Sequence, residues 1–199
     1  LSLPSYRGDI INRNAFTADD REPDPELMLR AYERSALTLN FIRALIDGGF
    51  ADLHHPENWD LDWVSHSPLA DEYHRMVQTI ADGLDFFESL TGKSIDQARR
   101  VDFYTAHEGL HLPYEQAQTR FLGHRQKWYD LTTHFPWIGA RTSQPGSAHI
   151  EFFRGVSNPV GVKIGADMTP DWLRSLLHSL NPDNEPGRLT LIHRFGAAR

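Results

Sequence analysis

The 199-residue chain contains no cysteine. Disulfides and thiolate metal ligands are therefore excluded from this stretch, although the absence says little about compartment, because many cytosolic chains also lack cysteine. Long apolar runs are missing as well. No stretch approaches the ~20 residues that a membrane helix needs, and the first residues lack the charged-then-apolar pattern of a secretory signal. Positive charge is the scarcer sign, with 20 Lys and Arg against 27 Asp and Glu and a formal net charge of -7. No Lys/Arg block or basic helix stands out against that background, which argues against a nucleic-acid binder. These absences leave a soluble, cytoplasmic protein with neither nucleic acid nor membrane as partner. The chain opens at Leu1 without an initiator methionine and stops at Arg199, soon after a strand pattern ends. It reads as the middle of a longer protein.

What is present is ordinary for a globular domain: 40% hydrophobic and 24% charged residues, enough for a sizeable core. Residues 1–24, with Pro4, Gly8 and Pro23, predict an extended lead-in with little regular structure. Helical periodicity then begins. Asp24 is placed to cap a helix with Pro25 at its first position, and Leu29, Tyr32, Ala36, Leu39, Ile42 and Ile46 recur at helical spacing until Gly48-Gly49. A second helix starts at Ser67-Pro68, runs through Leu69, Tyr73, Met76, Val77, Ile80, Leu84 and Phe87, and stops at Gly92. Residues 51–66, with Trp59 and Trp63, predict a loop or short helix. The faces of the two long helices are candidates for subunit or regulatory contacts.

From Val101 the rhythm changes to short strands alternating with helices. Residues 101–105 predict a strand and 113–121 a helix, while three apolar runs each pair a cation with glycine: Pro136–Arg141, Pro159–Gly165 and Leu189–Gly196. Residues 148–154 predict a short helix closed by Gly155. A further helix is signalled by Thr169 as N-cap, Pro170 at the first position, the run Trp172, Leu173, Leu176, Leu177 and Leu180, and the stop Asn181-Pro182. Strand, helix, strand, helix is the pattern of a parallel α/β sheet. Four strands are too few for a closed eight-stranded barrel of about 250 residues. The chain is therefore an open doubly wound sheet or the middle of a barrel, and both place ligands at the C-terminal strand ends.

Arg141, Lys163 and Arg194 lie 22 and 31 positions apart, a spacing that suits successive strand-helix units. On neighbouring parallel strands they can converge on a small, multiply charged anion, and the adjacent glycines let that ligand approach the backbone. Taken singly, each is more simply a solvated strand-end residue. His107-Glu108-Gly109-Leu110-His111 matches the H-E-x-x-H pattern of zinc peptidases. Its context is wrong: the segment leaves a strand, Gly109 sits inside it, and Pro113 marks a helix start. We expect His107 and Glu108 to end the strand on the ligand side and support the cations. The other histidines, among them His54, His55, His134, His149 and His193, show no ligand pattern and are more simply packing residues. Ser143 and Ser147 lack the context of a nucleophile elbow, and the Phe86-Phe87 and Phe152-Phe153 pairs predict core.

Several blocks in order then carry a resemblance. They are Leu3-Pro4-Ser5-Tyr6-Arg7-Gly8-Asp9, Leu27 to Tyr32 leading to Thr38-Leu39-Asn40, His107-Glu108 with Tyr114-Glu115 and Thr119-Arg120, and Trp137-Ile138-Gly139-Ala140-Arg141-Thr142. Gly146 to Glu151, Asn158 to Lys163, and Glu185 to Thr190 with Arg194 continue the series. Together, and over nearly the whole chain, they resemble type II 3-deoxy-D-arabino-heptulosonate 7-phosphate (DAHP) synthase. The resemblance implies part of a (β/α)8 TIM barrel, about strands 3–6, preceded by extra N-terminal helices. Residues 1–99 would be lead-in and extra helices, and 100–199 the strand-helix units. It implies a transferase of the shikimate pathway to chorismate and aromatic amino acids, condensing phosphoenolpyruvate with erythrose 4-phosphate and water to give DAHP and phosphate.

Carried over by position, the phosphoenolpyruvate contacts fall on Ala140, Arg141, Lys163 and Arg194, with Lys163 and Arg141 catalytic and Trp137, His107 and Glu108 supporting. The family's divalent metal, manganese or else cobalt, is implied to sit on residues outside this chain, so that this piece alone binds no metal and is inactive. The resemblance also implies a homo-oligomer at full length. Many type II members have glutamate where this chain has Ala140 and arginine where it has Ser143, although Gly139-Ala140-Arg141-Thr142 looks like the corresponding segment of the type I enzymes. The alternatives are a related synthase using another aldose phosphate and a non-catalytic phosphate-binding or interaction module.

Overall fold

The computed structural model describes residues 10–13, 15, 17–55, 62 and 64–196. The Leu3–Asp9 block and the positions of Trp59 and Trp63 lie outside the described residues. The chain divides into two compact units, Leu1–Phe103 and Tyr104–Arg199.

The first unit carries two 22-residue helices, α1 (Glu26–Asp47) and α2 (Ala70–Thr91), with short 3-10 turns at Asp19–Arg21, Val64–His66 and Asp96–Arg99. The turn at 19–21 interrupts the extended lead-in expected there. The α1 start follows its signal: Asp24 Oδ1 accepts from the Glu26 amide at 3.1 Å, and Pro25 already has helical dihedrals. α2 begins at Ala70, two residues past the expected proline, with Ser67 Oγ accepting from the Leu69 amide. Its stop is Gly92, whose φ of 63° lies in the left-handed region that glycine enters without a Cβ clash.

Neither helix has a fully buried residue. Tyr73, Val77, Ala81, Leu84 and Glu88 form a half-buried stripe at helical spacing on α2, whereas Met76, Ile80, Phe86 and Phe87 are exposed. The core placement expected for the Phe86-Phe87 pair is therefore wrong, because both side chains lie off that stripe. No helix among the described residues is long and apolar enough to cross a membrane.

A histidine clamp ties the segment after α1 to the end of α2. His54 Nδ1 lies 2.6 Å from Asp52 Oδ1 and its Nε2 lies 2.9 Å from Glu88 Oε1. Ionised carboxylates only accept, so both ring nitrogens must carry hydrogen and His54 is an imidazolium. Its pKa is raised by the hydrogen bonds to Asp52 and Glu88. Asp52 is lowered chiefly by the His54 backbone amide, and Glu88 chiefly by the Ile95 amide. The histidine contribution is complete below its ordinary 6.5 and is lost as pH rises through the higher folded value. The carboxylate contributions are complete above 3.8 and 4.5 and are lost as pH falls through the lower folded values.

The second unit runs β1 (Ala106–Glu108), α3 (Leu112–Gln118), β2 (Thr119–Leu122), β3 (Lys127–Asp130), β4 (Phe135–Ile138), α4 (Ala148–Gly155), β5 (Val160–Gly165), α5 (Pro170–Leu180) and β6 (Leu189–Arg194). Strands β1, β4, β5 and β6 form one parallel sheet in that order, and β2 and β3 pair as a separate antiparallel hairpin. The class is α/β, as the alternating pattern requires.

Two elements differ from expectation. The first strand begins later than 101–105, because pairing with β4 starts where the Thr105 carbonyl accepts from the Phe135 amide. The helix expected over 113–121 ends at Gln118, where Thr119 and Phe121 turn into the hairpin. That hairpin was not foreseen because its Gly123–Gln126 turn lacks an Asn-Gly or Asp-Gly signature and places the non-glycine Gln126 at φ 54°.

The core of this unit lies between one sheet face and helices α4 and α5. Ile138, Val160, Val162 and Ile164 from the strands meet Ile150, Phe153, Leu176 and Leu180 from the helices. Both helices carry working caps: Ser147 Oγ accepts from the Ile150 amide and Thr169 Oγ1 from the Trp172 amide.

Leu176 is 0% exposed at the centre of this cluster, so Leu176→Ala is expected to destabilise by about 2–5 kcal/mol in denaturant unfolding. For the first unit, His54→Gln is expected to lower the melting temperature most between about pH 4.5 and 6.5, where all three members of the clamp are charged. Melting curves of both proteins across pH 3–9 check this. A deficit that does not shrink above neutrality would show that the imidazolium is not what holds the clamp.

Candidate functional site

The site follows from the alternation of side chains along parallel strands. Along β5, Val160, Val162 and Ile164 point into the helix-covered core, which leaves Gly161, Lys163 and Gly165 on the opposite face. Registered residues of parallel neighbours share a face. Glu108 pairs with Trp137, Trp137 with Gly161, Lys163 with Ile192, and Gly165 with Arg194. Glu108, Trp137, Lys163 and Arg194 therefore stand on one face of the sheet. Arg141 follows at the C-terminal edge, in the 3-10 turn Ala140–Thr142 that β4 runs into.

Lys163 is the centre of this group. Its Nζ sits over the Trp137 ring, 3.3 Å from the centroid, in a cation–π contact. Burial of the half-exposed ammonium lowers its pKa first; the Glu108 carboxylate pulls it back up, and the Arg194 and Arg141 guanidiniums push it further down. The three cations sensed from sequence thus act on one another through space, with one carboxylate among them.

Two glycines make room for the arrangement. A Cβ at Gly139 would overlap the Glu108 carboxylate, and one at Gly161 would press on Ile192, Phe135 and Trp137 at 2.9–3.0 Å. Ala140 is exposed at the start of the turn. Ser143 is buried, with its hydroxyl donating back to the Ala140 carbonyl.

His107 stands elsewhere. Adjacent residues on a strand face opposite ways, so His107 points to the helix side while Glu108 points to the cations. Its Nε2 lies 2.9 Å and 3.1 Å from the two oxygens of Glu115, a buried carboxyl on α3. His107 and His111 are not one turn apart on a helix, since β1 ends at Glu108 and α3 begins at Leu112. The zinc-peptidase arrangement is not formed. Among the described residues, no group of three or more His, Asp or Glu side chains could hold a metal ion, and the donor set gathered at Lys163 is cationic and suited to an anion.

Sequence reasoning missed the network behind His107. Thr132 Oγ1 lies 2.6 Å from Glu115 Oε2 and 2.7 Å from Asp130 Oδ1. One hydroxyl hydrogen serves only one of these contacts, so the two carboxyl groups need a proton of their own. Asp130 is pushed up to about 7 by burial first and then by the neighbouring Glu115; burial also pushes Glu115 up, but His107, Asp130 and Thr132 outweigh it and hold Glu115 low. Asp130 Oδ2 is buried without a partner, which favours the protonated form of this carboxyl over the ionised one. The available signal was Asp130 itself, an acid between Tyr129 and Leu131 in a strand.

A parallel α/β unit with lysine and arginine at the C-terminal strand edge has the layout of the α/β proteins, in which ligands lie at the strand ends. The comparisons narrow this. The whole chain, residues 1–199, matches the Class-II DAHP synthetase family, and it belongs to that family. It is 42% identical over 209 residues to a phospho-2-dehydro-3-deoxyheptonate aldolase of Neurospora crassa, covering 98% of this chain and 43% of the relative. It is 41% identical over 197 residues to a protein of the same name from Streptomyces coelicolor, covering 99% of this chain and 44% of the relative. The chain thus spans less than half the length of these curated relatives.

Asp130 binds its proton in the folded state over a pH range where the unfolded chain has released it, so stability falls as pH rises from about 4 through about 7. Asp130→Asn keeps a donor for Glu115 and cannot ionise. It is expected to flatten this part of the stability-pH profile in urea unfolding, and an unchanged slope would show that the pair carries no shared proton.

Proposed function

We propose that the chain is the donor-binding part of a 3-deoxy-7-phosphoheptulonate synthase, which joins phosphoenolpyruvate to erythrose 4-phosphate with uptake of water and release of phosphate. The observation that carries this reading is the gathering of Lys163, Arg194 and Glu108 on one face of the parallel sheet, with Arg141 in the turn at its C-terminal edge, in a chain of this family. Phosphoenolpyruvate bears a carboxylate and a phosphate, and three fixed cations match its two to three negative charges.

The chemistry follows from the environment of each group. Arg141 and Arg194 present planar donor forks suited to bidentate contacts with the carboxylate and phosphate. The backbone at Ala140 contributes to the same contact. Lys163, with its pKa lowered by burial and by the two guanidiniums, stabilises charge on the donor and gives up a proton more readily than a free lysine. Glu108 keeps that ammonium charged until it acts, and Trp137 holds it in place. C3 of the enol attacks the aldehyde carbon, the aldehyde oxygen takes up a proton, water adds at C2, and phosphate leaves. His107 supports this group from the opposite face of β1.

The described residues do not fit a metal ion. The divalent ion of the whole enzyme, manganese or else cobalt, is accordingly assigned to residues outside this chain, and none of the roles above passes through it. The four-stranded parallel sheet is taken as strands 3–6 of a (β/α)8 barrel, with residues 1–99 as lead-in and extra helices and 100–199 as strand-helix units. The whole protein is taken as a cytoplasmic homo-oligomer.

The test uses the full-length protein with manganese, phosphoenolpyruvate and a panel of aldose phosphates, following phosphate release. Release with erythrose 4-phosphate is expected, and Lys163→Met and Arg194→Gln are expected to lower kcat/KM about 100-fold or more, the size seen when a charge-stabilising donor is removed. Release only with another aldose phosphate would assign a different acceptor. No release with any of them would overturn the reading in favour of a non-catalytic anion-binding unit.

A further inference from the structure

We infer that Trp172 is a positioning residue for phosphoenolpyruvate, acting through the turn that carries Arg141. The inference rests on the anion site proposed above and adds a residue from α5, the helix that follows the strand of Lys163.

The turn after β4 has little holding it from within. It is one 3-10 turn, Ala140–Thr142, between a strand end and the loop that leads to α4. Its carbonyls are instead engaged one by one. The Thr142 amide and hydroxyl donate to the Gly139 carbonyl at 3.1 Å and 3.3 Å, and the Ser143 hydroxyl donates to the Ala140 carbonyl at 3.1 Å. The remaining two bonds come from the neighbouring helices. Ser147 Oγ, the N-cap of α4, donates to the Thr142 carbonyl at 2.9 Å. Trp172 Nε1, in the first turn of α5, donates to the Ser143 carbonyl at 2.7 Å.

This last bond is the shortest of the set and spans 29 positions in sequence. It starts from a fixed point. The Trp172 amide is itself held by the Thr169 cap, the indole packs against the helix-side core, and Ser143 is 0% exposed. An indole nitrogen is a donor only, so it turns the Ser143 carbonyl toward α5. Two consequences follow for an anion. A carbonyl oxygen carries partial negative charge, and one that is engaged from behind is not free to rotate toward the ligand. Arg141 is also fixed relative to Lys163, because α5 directly follows the strand that carries Lys163. The bond therefore sets where the turn that carries Arg141 stands relative to the strand that carries Lys163, a placement that a bidentate arginine contact needs to within a fraction of an ångström.

The test compares full-length wild type, Trp172→Phe, Arg141→Ala and the double variant. Each is measured for its Kd for phosphoenolpyruvate by calorimetry, for KM and kcat in phosphate release, and for melting temperature. Trp172→Phe keeps a ring in the core and removes the donor. It is expected to raise the Kd and KM for phosphoenolpyruvate about fivefold, the size of one lost hydrogen bond, with kcat changed less. In the Arg141→Ala background the same substitution is expected to add almost nothing, since Trp172 acts through Arg141. A merely structural role would lower the melting temperature and leave the two substitutions additive.

Unchanged Kd and KM in Trp172→Phe, or full additivity, would overturn the inference while leaving the anion site intact. Wild type that does not bind phosphoenolpyruvate would instead overturn the site itself, and this inference with it. Should phenylalanine fail to fill the space, as shown by loss of cooperative melting, a benzothiophene isostere placed at 172 keeps the bicyclic shape without the N–H. The same fivefold change is expected of it, and its absence would overturn the inference.

Discussion

The alternation of side chains along β5 is the constraint on which the second unit depends. Val160, Val162 and Ile164 must be dry, and they are, against α4 and α5. Once they are placed, Lys163 has no choice of face. Its ammonium meets the Trp137 ring on the face that Gly161 keeps open. Slipping the strand by one residue would bury the ammonium among valines and expose the core, so hydrophobic burial fixes the register and the register fixes the charge. The neighbouring strands inherit the same division through parallel pairing, which brings Glu108 and Arg194 to the face that Lys163 occupies.

Opposite faces of one strand then do different work. On β1, Glu108 is turned to the cations and His107 to a buried acid pair, although the two are adjacent in sequence. Among the described residues, the cationic face leaves its charges without full compensation: three cations meet one carboxylate. The helix side does the reverse, with Glu115, Asp130, Thr132 and His107 closing their bonds on one another. An under-compensated group of cations attracts an anion, whereas a satisfied polar network rigidifies its surroundings. The two arrangements stand back to back across β1, and the rigid one braces the strand that carries Glu108.

Much of this was legible in the residues. Thr169-Pro170 announces a helix start, Gly92 announces a stop, and the cation-glycine pairing of three runs announces three cations gathered at one edge of a parallel sheet. The hairpin was not legible, because its turn uses Gln126 in a left-handed conformation where local sequence offers no signal. The start of β1 was not legible either. Val101 to Thr105 alternates as a strand should, but a strand exists only where a partner presents its amides, and the partner begins at Phe135. Phe86 and Phe87 show the same limit in a helix: periodicity says which residues share a face and not whether anything covers it.

The sequence by itself determined the class of fold, the identity of the three cations and the family to which the chain belongs. Each of these is written in local pattern: hydrophobic period, cap residues, glycine next to charge, and blocks of residues in a fixed order. Only the tertiary structure decided that Glu108 rather than His107 joins the cations, that Thr132 bridges Asp130 and Glu115, and that Trp172 reaches the turn of Arg141. These depend on groups far apart in sequence, 29 positions for Trp172 and Ser143 and 55 for Glu108 and Lys163, brought together by strand register and by the burial of α5. Such pairings are set by the packing of the whole unit, and no local pattern encodes them.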